Sequence, residues 1–291
     1  MREKLILLAG AMANIAFLAG CQGILDIPVG LQDTAQRNVM ESSEVYSYEI
    51  TRKDYDTMDT NPIEIDLGSI SEDMEGVCTF DGRQLTLCEE GNYVLTGKMG
   101  NGSLVINVFD DEVVHLILNN VEISSDNGAA IYVKSADKVI ITAKDGTENI
   151  LSDSSRHDDV QRACIFSNSD LTINGEGMLY VYGYHADGVR SKDRLKLINA
   201  NVFVRAKEDG IRGNDAVIIL DSITEVECEG TGIVSNNDDD MVVVQGGSCK
   251  VIAGKNAITS NKQVSIHGSQ TDLYSVLETI LCNGTVEIDE G

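Results

Sequence analysis

The sequence contains no tryptophan, only 2 prolines and few basic side chains for its 291 residues. The absence of tryptophan argues against a broad aromatic strip of the kind that binds cellulose. Lysine and arginine number 22 against 47 aspartates and glutamates, which gives a net charge of −25. This charge repels nucleic acids and anionic membrane surfaces, so we expect cations, above all metal ions, and no nucleic acid as partners.

Cysteine clusters with the spacing of zinc sites are also lacking, because no CxxC pair occurs. The positions of Cys164, Cys228 and Cys249 in the repeat pattern described below predict small core residues rather than disulfides. A disulfide between Cys78 and Cys88 remains an open alternative. The length leaves room for one elongated domain and a leader, and little room for a second fold.

The first 20 residues have the pattern of a secretory signal, with Arg2 and Lys4 before an apolar stretch that is too short to span a membrane comfortably. Leu18 to Cys21 resembles the bacterial lipobox, in which the cysteine carries a lipid. An ordinary signal peptide with a chance cysteine is the alternative. We therefore expect an extracytoplasmic protein on a bacterial cell surface, held to the membrane only through a lipid on Cys21.

Residues 21–60 are polar and lack sustained periodicity, which predicts a flexible tether. Strand-like alternation begins near residue 63, so we assign residues 61–291 to one folded domain. The segment 148–162 interrupts the later repeat, and we predict a loop that projects from one face.

One short phrase recurs from residue 163 onwards. Its copies begin 24, 22, 22 and 25 residues apart, at Ala163, Asp187, Asp209, Thr231 and Asn256. A period in the low twenties, with β-branched alternation between Gly, Asn and Asp turns, is typical of a solenoid whose rung is several short strands. We therefore predict an all-β fold, a single-stranded parallel β-helix of about 22 residues per rung.

Equivalent positions of such a coil stack about 4.8 Å apart and form columns. One predicted column is aliphatic and consists of Ile131, Ile165, Val189, Ile211, Ile233 and Ile258. Another column is rich in asparagine, and stacked asparagines hydrogen-bond from rung to rung at tight turns. We expect a structural ladder from its members, Asn168, Asn214, Asn236 and Asn261.

Two further columns stack carboxylates of like charge, Asp187 on Asp209 and Asp193 on Asp215. Repulsion between them requires a positive partner, and Ca²⁺ prefers such hard oxygen ligands. We predict calcium as the cofactor, held by these four aspartates and Asn214. The alternative is that the cations of the repeat, Arg190, Arg212, Lys192 and Lys207, neutralise the acids as ion pairs.

An acidic run, Asp238 to Asp240, follows the fourth copy of the repeat. We predict a solvated turn there, and a weak calcium site is the alternative.

Several motifs together resemble the secreted carbohydrate-binding-domain family of clostridia and relatives, over about residues 61–270. The motifs are residues 91–97, 113–121, 129–134, 138–142, 147–153, 187–193 and 209–215. The resemblance implies a right-handed parallel β-helix similar to pectate lyases, with bound calcium and a polysaccharide partner, although lyase activity is not established for the family. Thr231 and Asn256 replace the repeated aspartate, so calcium binding is expected to fade towards the C-terminus.

Candidate sugar-binding residues fall into two groups. Arg190 and Arg212 stand one rung apart, with Lys192 nearby, and their guanidinium groups are suited to uronate carboxylates. Tyr180 and Tyr182 would face outward as a stacking platform if Leu179 faces inward; the reverse alternation would bury them.

We expect non-catalytic, calcium-dependent binding of pectin-like or other cell-wall polysaccharide. Two alternatives stay open: a calcium-dependent pectate lyase and a surface adhesin or spacer. The sequence assigns no oligomeric state.

Overall fold

The computed structural model describes residues 48–58, 61–155, 160–238 and 240–289. From Glu49 onward these residues belong to one compact unit. The described part of the chain has a single 3-10 turn, Arg52–Tyr55, and no helix suited to crossing a membrane.

In chain order the strands are β1 (Ile63–Asp66), β2 (Cys78–Phe80), β3 (Gln84–Leu87), β4 (Gly91–Gly100), β5 (Ser103–Asn107), β6 (Val113–Ser124), β7 (Ile131–Ser135), β8 (Lys138–Ala143), β9 (Glu148–Ser152), β10 (Ala163–Ser167), β11 (Asp170–Asn174), β12 (Met178–Gly183), β13 (Asp187–Ser191), β14 (Arg194–Ile198), β15 (Asn201–Ala206), β16 (Ile211–Gly213), β17 (Ala216–Leu220), β18 (Ile223–Cys228), β19 (Ile233–Val234), β20 (Met241–Gln245), β21 (Ser248–Ala253), β22 (Ile258–Ser260), β23 (Gln263–His267), β24 (Gln270–Ser275), β25 (Ile280–Cys282) and β26 (Thr285–Asp289).

The strands form three faces of a coil with about eight turns, which confirms the predicted parallel β-helix. At the N-terminal end β2 pairs antiparallel with β3, and β6 turns a corner by pairing with β8 and then β9. Face one contains β3, β5, β7, β10, β13, β16, β19, β22 and β25. Face two contains β8, β11, β14, β17, β20, β23 and β26, and face three contains β9, β12, β15, β18, β21 and β24.

The register between turns creates the predicted columns. Val189 lies opposite Ile165 on one side and Ile211 on the other. All six members of the predicted aliphatic column are consecutive register partners and are buried. Removing this stack of branched side chains from water on every turn is the main driving force for the coil.

The three faces differ in how they meet solvent. Strand β17 on face two is buried throughout, whereas β18 on face three alternates strictly between exposed and buried residues. Strict alternation indicates a sheet with one side in the core and the other in water. Face three therefore offers an outer surface that can meet a ligand.

The segment before β1 packs against face two. Asp54 is fully buried and accepts hydrogen bonds from Lys138 Nζ (2.9 Å) and Thr172 Oγ1 (2.6 Å), and its Oδ2 lies 3.5 Å from Lys196 Nζ. Burial alone would raise the pKa of Asp54, but the hydrogen bonds and the lysines lower it. Both lysines are also buried and need this carboxylate as their counter-charge.

The structure changes two expectations about irregular segments. Residues from Glu49 to Met58 belong to the compact unit, although the sequence predicts a tether up to residue 60. The predicted loop at 148–162 begins with a strand, β9, because the break in the period follows this strand rather than replacing it. Residues 156–159 of that loop, the leader, Cys21 and the tether up to residue 47 lie outside the described residues.

The cysteines and the asparagine column serve the fold. Cys164, Cys228 and Cys249 are buried as predicted, and all six described cysteines are free, so Cys78 and Cys88 are not paired. The asparagine column follows the prediction only in part, because Asn168 and Asn261 donate to backbone carbonyls of the neighbouring turn rather than to the side chains of equivalent asparagines. Its bonds run from Asn168 to the carbonyl of Lys134 (3.0 Å), from Asn261 to the carbonyl of Asn236 (3.0 Å) and from Asn283 to Oδ1 of Asn261 (3.1 Å).

Packing requires glycine at the second position of three successive copies of the repeated phrase. A Cβ atom added at Gly188, Gly210 or Gly232 would lie within 2.2 Å of a valine Cγ1 on face three. There is no space for a side chain at these three positions, which explains the glycine on each of these turns.

We expect Gly210→Ala to lower the free energy of unfolding by about 1–3 kcal/mol, the usual effect of overpacking. The added Cβ would also lie 2.6 Å from the carbonyl oxygen of Gly232. Denaturant unfolding monitored by circular dichroism measures the change. Gly100→Ala is the matched control, since nothing lies within 4 Å of a Cβ at that position; equal midpoints for the two variants would contradict the packing explanation.

Candidate functional site

Asp187 and Asp209 stack at the corner between face three and face one, and each carboxylate binds the backbone of the next turn. The backbone N–H of Asp209 donates to Oδ1 of Asp187 (3.0 Å), and the N–H of Thr231 donates to Oδ1 of Asp209 (2.8 Å). Asn256 continues the pattern, because its Oδ1 accepts the N–H of Glu278 (3.0 Å). The column is therefore a series of side-chain acceptors that satisfy backbone donors at a tight turn.

The other oxygens of these two aspartates face arginines. Asp187 Oδ2 lies 3.5 Å from an Nη of Arg190 and 3.6 Å from Nε of Arg212, and Arg212 also donates to Oδ2 of Asp209. The two arginines are register partners, as predicted. Because backbone donors and guanidinium groups already surround both carboxylates, this corner does not fit a calcium ion and favours the ion-pair alternative.

The acids at this corner repel one another in a buried setting. Burial and then the neighbouring charge of Asp209 raise the pKa of Asp187 to about 6, against the opposing effect of Arg212. Burial also lowers the pKa of Arg190. The other two predicted counter-ions act elsewhere: Lys192 lies over the ring of Phe166, and Lys207 pairs with Glu229.

Asp193 and Asp215 stack at a different corner, between face one and face two. The backbone N–H of Asp215 donates to the carbonyl of Asp193 (3.2 Å), and Asn237 donates its side-chain amide to Asp215. Burial, then the charges of Asp170 and Asp215, raise the pKa of Asp193. Asn214 precedes Asp215 in this turn and is half-buried.

Within the described ranges, no cluster of three or more His, Cys, Asp or Glu side chains has a geometry suited to a metal ion. A calcium ion near Asp193 and Asp215 would therefore need carbonyl groups and water among its ligands. The four aspartates do not form one site, because the two columns lie at different corners.

The acidic run contains one residue that is buried, so the prediction of a solvated turn is wrong for Asp240. Its Oδ1 accepts hydrogen bonds from Ser260 Oγ (2.9 Å) and from the backbone of Asn261 (2.9 Å) and Lys262 (3.0 Å). Its side chain fixes the turn that follows β22. Asp239 lies outside the described residues.

Tyr180 and Tyr182 project outward from β12, because Leu179 and Val181 are buried in the core. The two tyrosines do not form one platform with each other. Tyr180 stacks on Phe203 with ring centroids 5.1 Å apart, and Tyr182 stacks on Tyr184 at 6.0 Å. The Tyr180–Phe203 pair joins two successive turns, whereas Tyr182 and Tyr184 lie on the same turn, so the rings form an aromatic patch at this part of face three.

An open groove continues from these rings across the outer side of face three. Its cavity volume is about 640 Å³, and Tyr182 and Tyr184 line one end while Ile252 and Val276 line the other. A smaller cavity of about 350 Å³ adjoins it at Tyr180 and Phe203. The charged residues that line the two cavities are Arg205, Lys207, Glu225, Glu227, Glu229 and Lys250.

Only some of the predicted sugar-binding residues line these cavities. Tyr180 and Tyr182 line them, whereas Arg190, Arg212 and Lys192 do not. Phe203, Tyr184 and the charged floor of the groove were not among the residues predicted from the sequence. The register could have found Phe203 and Arg205, because they lie one turn beyond Tyr180 and Tyr182 in the same columns.

The fold and the groove together define a parallel β-helix protein whose outer face carries aromatic rings and charged side chains. The model of the carbohydrate-binding domain-containing protein family matches residues 81–284, and the chain belongs to this family. A carbohydrate-binding domain-containing protein of Acetivibrio thermocellus is 29% identical over 300 residues, covering 99% of this chain and 96% of the relative. A solved polysaccharide lyase-like protein from C. thermocellum, a gadolinium derivative, has a TM-score of 0.74 and 27% identity, covering 79% of this chain and 97% of its own.

We expect Asp187→Asn to be more stable than the wild type at neutral pH, because the amide keeps the Oδ1 acceptor without a buried charge. The raised pKa of Asp187 means that the folded state keeps a proton that the unfolded state has lost. The contribution of Asp187 to wild-type stability should therefore fall by about 2–3 kcal/mol as pH rises from about 4 to above 6. Chemical unfolding of both proteins across this range gives the difference.

Asp187→Ala serves as the matched variant for this experiment. It removes the charge and also the acceptor for the Asp209 N–H, so it should be less stable than Asp187→Asn at every pH. Wild type and Asp187→Asn with the same pH profile would contradict the assignment.

Proposed function

We propose that this protein binds polysaccharide without cleaving it, in the outer groove of face three. Family membership supports a carbohydrate partner, and the presence of the groove is the observation that supports this binding location. It combines stacked rings with exposed charged groups that can donate and accept hydrogen bonds. Sugar rings present apolar C–H faces and a rim of hydroxyls, and this combination of side chains complements both.

The shape of the groove favours a chain over a single sugar. Tyr182, Arg205, Glu227 and Ile252 occupy the same register column on four successive turns. Adjacent members of this column stand about 4.8 Å apart. A polysaccharide lying along the coil would therefore contact several turns at once, and many weak contacts would sum to useful affinity.

The alternative site for uronates at Arg190 and Arg212 has weaker support, because both guanidinium groups pair with aspartates. The same pairing disfavours a pectate lyase, in which an arginine or lysine would remove a proton. A spacer without any ligand is the remaining alternative. Incubation with polygalacturonate and Ca²⁺ tests for the lyase: unsaturated product would raise the ultraviolet absorbance, whereas we expect none.

The double variant Tyr182→Ala, Tyr184→Ala should bind glycan at least about tenfold more weakly than the wild type, because it removes one stacked pair at the end of the groove. Affinity electrophoresis in gels containing a panel of cell-wall polysaccharides gives the dissociation constants.

Tyr132→Ala is the control for this measurement, since Tyr132 lies on face one and outside the groove. Circular dichroism verifies that each variant is folded. The location in the groove is wrong if the double variant retains full affinity or if Tyr132→Ala loses as much.

We also propose that calcium, where it binds, is held at the corner of Asp193, Asp215 and Asn214. This choice over Asp187 and Asp209 is supported by the ion pairs at the other corner, because Arg190 and Arg212 already pair with those two carboxylates. The ion would bridge two turns and stabilise the coil, rather than act on the ligand.

Added Ca²⁺ should raise the melting temperature of the wild type, and chelation should reverse the increase. Asp193→Asn with Asp215→Asn should remove this response. Asp187→Asn with Asp209→Asn is the matched control and should keep it. A wild-type melting temperature that is the same in Ca²⁺ and in chelator would contradict the calcium proposal.

Placement on the cell surface through a lipid at Cys21 stays a proposal that rests on the lipobox. It is consistent with a protein that meets polysaccharide outside the cell.

A further inference from the structure

The floor of the groove carries cations that are paired with carboxylates of the next turn. Arg205 and Glu227 are register partners, with Nε and Oε2 3.0 Å apart. Lys207 and Glu229 repeat the arrangement at 2.6 Å. Both pairs stand at the surface, and the arginine and glutamate side chains of the first are 70% and 59% exposed.

The charges that line the groove balance. Arg205, Lys207 and Lys250 face Glu225, Glu227 and Glu229, and Lys250 lies opposite Glu225 in the register. The rest of the chain is strongly acidic, since the net charge is −25. A polyanion that entered the groove would meet no excess of positive charge and would be repelled by the protein as a whole.

Paired side chains still have hydrogen-bonding capacity for a neutral ligand. A guanidinium group has five N–H donors and a carboxylate has about four acceptor positions, so one ion pair uses only part of either. Hydroxyl groups both donate and accept, and they can use the remaining positions on both members of a pair. A carboxylated or sulfated sugar instead needs unpaired donors and suffers from the nearby glutamates.

On this basis, and resting on the proposed function, we infer that the groove selects uncharged polysaccharides and that Glu227 and Glu229 are its specificity-determining residues. The aromatic rings provide affinity for any sugar ring. The two glutamates exclude polyanionic chains by neutralising Arg205 and Lys207 and by repelling the ligand.

The test is a change of specificity in the variant Glu227→Gln, Glu229→Gln. Affinity electrophoresis at low and high salt would compare galactomannan and xyloglucan with polygalacturonate. We expect the wild type to bind a neutral glycan and not polygalacturonate. The variant should gain at least about tenfold in affinity for polygalacturonate at low salt and lose this gain at high salt.

Glu72→Gln with Glu75→Gln is the matched control. Both residues are exposed and lie far along the chain from the groove strands, so this variant has the same change in net charge without a change in the groove. It should gain no polygalacturonate binding. An equal gain in the control would assign the effect to total charge and overturn the role of Glu227 and Glu229.

The outcomes separate this inference from the proposed function. Wild-type binding of polygalacturonate that is lost in Tyr182→Ala, Tyr184→Ala would overturn the selectivity and leave polysaccharide binding in the groove intact. Unchanged specificity in the Glu227, Glu229 variant would also overturn it. A wild type that binds no glycan would remove the proposed function, and the inference with it.

Discussion

The parallel register between successive turns is the constraint on which the other features of this protein depend. It places Ile165 under Val189 and Val189 under Ile211, so that each turn buries its aliphatic residues against the next. It also places every polar residue of a column next to its equivalents. Each column therefore repeats the same packing or charge interaction on every turn, and the residue on one turn limits which residues fit on the next.

The aspartate corner illustrates how that constraint decides between structure and function. Stacked carboxylates suggest a metal ion, but here their first task is to accept backbone N–H groups that the tight turn leaves without partners. Asn256 performs the same task without a charge, which indicates that the acceptor is the essential element. The arginines of the same repeat then pair with the remaining carboxylate oxygens and offset part of the cost of burying them.

Much of the fold follows from the sequence, because period and alternation directly encode register. The interval of about 22 residues predicts the columns, whereas the sequence left two alternations open for Tyr180, and the burial of Leu179 in the structure decides between them. The charge partners could not be predicted in the same way. Whether Arg212 reaches back to Asp209 or outward to a ligand depends on rotamers and on the depth of the corner, which spacing alone does not define. The burial of Asp54 depends on a contact more than 80 residues away in sequence.

The groove lies on face three because side chains at the other surfaces are already engaged in packing, hydrogen bonds or ion pairs. The corner of Asp187 is occupied by backbone hydrogen bonds and ion pairs, and the strands of face two are buried through much of their length. Residues of face three alternate strictly between buried and exposed, so the outward side chains do not pack in the core and can vary without disturbing it. Aromatic residues occupy these positions on the turns of β12 and β15, and ion pairs join the turn of β15 to that of β18. A ligand that extends along the coil can contact several of these repeated positions at once, which supports the proposed polysaccharide partner over a compact ligand.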